Sequence, residues 1–63
     1  MDGTKRENIN IGSKVKVVQK QDQTSGKLTH GVVYKILTNS KTHPHGIKVM
    51  LDSGIVGRVK EVL

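Results

Sequence analysis

The sequence predicts an all-β domain of four or five short strands, curled into a small and partly open barrel. Three observations point there. Hydrophobic residues make up 33% of the 63 positions, most of them are Val or Ile, and Ala, Cys, Trp and Phe are absent. β-Branched side chains suit a pleated surface, whereas Ala favours helix. Apolar side chains recur with period two, with no sustained helical spacing. Polar stretches containing Gly interrupt them at short intervals, as turns do. A chain of this length buries only about 60% of its unfolded surface, which suits one small core and no enclosed cleft.

Residues 1–13 are polar apart from Ile9 and Ile11 and read as a partly ordered lead-in to a single barrel domain over residues 14–63. Thr4 and Glu7 have capping-box spacing, which allows one helical turn over residues 5–8. From Lys14 the side chains alternate polar and apolar, predicting a half-buried strand over residues 14–20. Residues 21–26 are polar and end in Ser25-Gly26, a loop signal. Residues 27–37 form the second strand, with Gly31 inside it marking a bulge or a close backbone approach, and Val32-Val33 followed by Tyr34, Ile36 and Leu37 breaks strict alternation, as a bulged strand does. Residues 38–46 form the longest loop and carry the only proline, in His43-Pro44-His45-Gly46. Residues 47–51 alternate again as the third strand. Asp52-Ser53-Gly54 is a hairpin signal with Gly in the left-handed region, and residues 55–62 form the fourth strand, with Gly57 as a second bend. The smallest way to remove the edges of such a sheet is to curl it. An SH3-like barrel is the first expectation and an OB-like barrel the second.

The charge is +6 at neutral pH, from eleven Lys/Arg against five Asp/Glu. That favours an anionic partner, and nucleic acid is the commonest for a small basic domain. The plain alternative is that scattered lysines keep the surface soluble. Absence of Cys excludes a disulfide scaffold, a Cys-based zinc finger and thiol catalysis. No apolar run is long enough for a membrane span or a secretory signal, so a cytoplasmic location without membrane partners is expected.

Specific residues carry a resemblance. Gly12, Val15 and Val17, then Thr24-Ser25-Gly26-Lys27-Leu28-Thr29 with Gly31, Val33 and Ile36-Leu37-Thr38, are similar to the YwbE-type family of small uncharacterised prokaryotic proteins. His43-Pro44-His45-Gly46-Ile47-Lys48-Val49 with Leu51, and Gly54, Val56-Gly57-Arg58-Val59, extend it over nearly the whole chain. The resemblance implies no biochemical activity. A looser one, through Gly31, Val33 and Ile36 between two loops, is to the KOW motif of ribosomal proteins and transcription elongation factors. It implies an SH3-like barrel that contacts RNA or protein.

The candidate nucleic-acid site is a lysine-rich face. With Val15 and Val17 inward, Lys14 and Lys16 share the outer face of the first strand. Arg58 and Lys60 share one side of the fourth. First and last strands often lie together in SH3-like barrels, so these residues and Lys20 are expected to form one basic stripe, flanked by Lys48 and Lys27. Arg58 is the candidate for a bidentate phosphate contact, and Lys5 and Arg6 of the lead-in are expected to order on binding. Tyr34 is the only aromatic, so backbone or structured RNA is expected rather than base stacking, and RNA rather than DNA.

His43 and His45 bracket the proline and project to one side if the chain there is extended. A zinc site needs at least one further ligand, and no spacing supplies it, so loop architecture or contact with a partner is expected and no metal. The alternative to nucleic-acid binding is an adaptor in a ribosomal or transcription assembly, docking by a strand edge or by the His-Pro-His-Gly loop. A methyl-lysine cage is closed to a chain with one aromatic. No nucleophile elbow or phosphate loop frames the serines and histidines, so no catalysis, cofactor or small-molecule substrate is expected.

Overall fold

The structure is a computed structural model that describes residues 3–63. Four antiparallel strands, β1 (Lys14–Val18), β2 (Thr29–Ile36), β3 (Lys48–Leu51) and β4 (Val56–Val62), close into a barrel in the order β1-β2-β3-β4. Short 3-10 turns stand at Arg6–Asn8 and Lys20–Asp22. The all-β, SH3-like architecture read from the pattern is the observed one. β1 pairs with both β2 and β4, so the ring is complete and not partly open. Every strand thus has two hydrogen-bonded neighbours.

The period-two pattern places the core. Val15 and Val17 of β1, Val33 of β2, Val49 and Leu51 of β3 and Val59 of β4 point inward, and all are at most 1% exposed. Ile47 and Ile9 complete the cluster, with Ile36, Ile55 and Val62 packed at its margin. No aromatic ring contributes, so β-branched side chains fill the interior of a barrel only four strands around.

Two irregularities produce the curl. Between β2 and β3 the register passes from Val33↔Leu51 to Lys35↔Met50, which leaves Tyr34 as the extra residue. Between β1 and β4 it passes from Lys16↔Glu61 to Val17↔Val59, leaving Lys60 extra. Such bulges bend and twist a strand. The second strand is thus bulged, as its broken alternation suggests, and of the two readings of Gly31 the structure selects the close approach. Gly31 faces Val15 across the ladder, and a Cβ there would run into the Leu51 side chain; its role is close approach. Gly57 likewise stays in register, opposite Val49, and the β4 irregularity falls at Lys60. The hairpin after Leu51 turns as expected, with Gly54 at φ 89°.

β1 is shorter than its alternation suggested, because the chain turns away after Val18 into the 3-10 turn at Lys20–Asp22. The lead-in also takes a structural part. Ile47 N–H donates to the Gly3 carbonyl at 2.9 Å, His43 N–H to the Thr4 carbonyl at 2.9 Å, and Arg6 N–H to the Lys41 carbonyl at 2.8 Å. Residues 3–6 thereby run antiparallel to residues 41–47, and Ile9 enters the core at 2% exposure. The turn that the capping-box spacing allows over residues 5–8 is a 3-10 turn at Arg6–Asn8, but its N-cap is Lys5, which makes no side-chain cap bond. No helix among the described residues is long and apolar enough to cross a membrane.

Candidate functional site

On β4 the inward Val59 lies between two outward cations, Arg58 and Lys60. The His-Pro-His-Gly loop folds back onto both. It closes as a turn through Gly46 N–H donating to the His43 carbonyl at 3.0 Å. Gly46 takes φ 100°, and a Cβ there would collide with the Val59 carbonyl; both facts call for Gly. Arg58 Nη1 donates to the Gly46 carbonyl at 3.0 Å, and Lys60 Nζ donates to the His45 carbonyl at 3.2 Å. Motif and cationic strand thus form one unit.

Within it, His45 N–H donates to His43 Nδ1 at 3.2 Å, and Arg58 Nη1 lies 3.5 Å from the same nitrogen. Nδ1 is an acceptor here, which puts the proton of a neutral ring on Nε2. Desolvation, the Arg58 charge and the His45 charge, in that order, hold His43 below its ordinary value of 6.5. The two imidazoles are 5.7 Å apart between centroids and tilted by 47°. No group of three metal-ligating side chains gathers among the described residues, and Arg58 beside Nδ1 repels a cation.

Arg58 borders two open grooves. One, of about 700 Å³, runs past Lys60, His45 and Leu28. The other, of about 460 Å³, runs past Lys48 and Lys20. Val18 and Gln23 border both, and among the described residues no Asp or Glu lines either. Lys48 lies directly opposite Arg58 in the β3–β4 ladder. Like charges in that position repel and cost stability.

The remaining predicted cations lie elsewhere. Lys14 and Lys16 do share the outer face of β1, but Lys16 Nζ pairs with Glu61 of β4 at 3.7 Å. Lys14 borders a smaller depression with His30 and Leu63. Lys27 is exposed in the loop before β2, and Arg6 belongs to a third groove with Lys5 and Lys41. The predicted cations therefore do not line one groove, and Lys16 is paired with Glu61. Lys41 was not singled out from the sequence. Its closeness to Arg6 depends on pairing of the lead-in with the long loop, which no local spacing announces.

Residues 2–62 match the family model described as "Uncharacterized conserved protein (DUF2196)". The chain is 49% identical over 63 residues to "Uncharacterized protein YwbE" of Bacillus subtilis (strain 168), covering 100% of this chain and 97% of that protein. No solved structure matches it. A match this complete, to the family model and to a relative of nearly equal length, places the chain in the DUF2196 family, the YwbE-type group its motifs resemble.

Proposed function

We propose that this protein is a non-catalytic binding module for the phosphate backbone of nucleic acid, RNA in preference to DNA, through the face built on Arg58. The observation that carries this reading is the Lys48–Arg58 cross-strand pair. Two cations are held side by side, Lys60 and Lys20 line the two grooves that Arg58 borders, and no carboxylate among the described residues lines either. A polyanion relieves the repulsion that the fold imposes. Arg58 spends Nη1 on the loop and offers Nε and Nη2 to a phosphate oxygen. Shape and backbone recognition fit a face without aromatic platforms. Lys14, Lys16, Lys27 and Arg6 are secondary in this reading.

Fluorescence anisotropy with a structured RNA hairpin, over a salt series, tests it. Four cations predict a slope of about −3 in log K against log salt. The double variant Lys48→Glu/Arg58→Glu should abolish binding, whereas Lys14→Glu should weaken it only slightly. Equal loss from both would sink the assignment of the face, and a flat salt dependence would sink the polyanion reading. The closed barrel offers a partner protein no strand with one side wholly unpaired, so the adaptor alternative would rest on the His-Pro-His-Gly loop.

A further inference from the structure

The third groove shares no residue with the Arg58 face. It is open, about 650 Å³ in volume, within the roughly 300–1,000 Å³ common for ligand sites. Its floor is aliphatic. Ile9 is buried at its base, Ile36 lies at the margin of the core, and Ile11 stands 63% exposed at its side. Its rim is cationic. The antiparallel contact between residues 5–6 and 41–42 brings Lys5, Arg6 and Lys41 together, fixed by the Lys5↔Thr42 bridge and the Arg6 N–H to Lys41 carbonyl bond. Glu7 is the one carboxylate lining it among the described residues. None of the four is in an ion pair among the described residues, where the Lys16–Glu61 contact stands alone.

We infer that this groove docks an acidic segment of a partner protein carrying aliphatic anchor side chains. The charge selects the sign of the partner and the floor selects its class. Branched aliphatic side chains have no π face on which a base could stack, and Tyr34 does not line the groove. Leu or Ile side chains from a partner would instead bury Ile11 and cover Ile36, while Asp and Glu beside them meet the three cations. This is the usual division between an apolar centre and a polar rim. The rim's backbone is tied by that bridge and hydrogen bond, so the ordering cost of binding falls on its side chains.

The test uses the full-length 15N-labelled protein and a blocked peptide of sequence Asp-Glu-Leu-Glu-Asp-Leu-Glu. The control peptide has both Leu replaced by Ser. Amide shifts should concentrate at residues 5–11, 36 and 41–42 and be much weaker with the Ser control. Ile11→Ser and Lys41→Glu alter exposed side chains. Each should weaken binding by about tenfold while leaving amides outside the groove in place. The inference is overturned by no shift at millimolar peptide, or by equal shifts from the Ser control. It is equally overturned if the peptide's shifts centre on Arg58 and Lys60, or if an RNA hairpin moves the groove amides more strongly than the peptide does. Because RNA affinity is read at other residues, failure here leaves the Arg58 proposal standing, and the reverse also holds.

Discussion

His43 accepts the His45 N–H on Nδ1 and has the Arg58 guanidinium 3.5 Å from that nitrogen. Protonating Nδ1 breaks the first contact and makes the second repulsive. Desolvation first, then the Arg58 charge, hold His43 below 6.5 in the folded chain, while the unfolded chain leaves it near the ordinary value. The unfolded state then binds more protons in the window just below 6.5, so stability rises with pH there, is complete above it, and is lost as pH falls through the folded value. We predict that the urea midpoint of the wild type declines from pH 7 to pH 5.5, and that His43→Gln flattens part of that decline. A His43→Gln profile parallel to the wild type would refute the assignment. A phosphate on Arg58 removes one of the charges that depress His43, so NMR titration of the ring should give a higher value with RNA present. Gly46 supplies a separate prediction at this scale. Gly46→Ala combines φ 100° with a collision against the Val59 carbonyl and should cost about 1–3 kcal/mol, read by thermal or urea unfolding.

At the scale of elements, residues 3–9 behave as an extra layer of the barrel. Their carbonyls accept from residues 43 and 47, and Ile9 seals the core. Ile9→Ala should cost about 2–5 kcal/mol, as a core truncation does, and a loss below about 0.5 kcal/mol would mean that the lead-in is dispensable. From sequence these residues looked loose, since two isoleucines among polar neighbours do not say where the chain lies. β1, β3 and the hairpin at Asp52–Gly54 were legible because alternation and turn chemistry are local. That β2 is bulged was legible in its broken alternation, but which residues are extra was not. Tyr34 and Lys60 became the extra residues through registers set across strands, and Gly31, the local suspect, serves Leu51 instead. The candidate site divides in the same way. Lys14, Lys16, Arg58 and Lys60 were placed outward by period two alone. That the His-Pro-His-Gly loop would sit on Arg58, or that Glu61 would pair with Lys16, depends on contacts between residues far apart in the chain.

For the whole molecule, net charge bears on stability and closure bears on kinetics. A net +6 on a body with extents of 27 × 24 × 19 Å repels itself, so added salt should raise the melting temperature by screening. Lys48→Gln should reduce that dependence, since it removes the repulsion across β3–β4. Closing the ring requires Val15 to meet Val62, a pairing from opposite ends of the chain. Folding should accordingly be a single phase in the millisecond-to-second range typical of barrels with non-local contacts, and a submillisecond phase in stopped flow would contradict it. The ring has one more consequence. Its segments are rich in Val and Ile, free of proline and short, the composition from which stacked cross-β fibrils grow when a backbone is left unpaired. A strand with a partner on each side gives such growth no template. Fibril formation should therefore track the fraction of chains that have opened, and concentrated native protein should seed none.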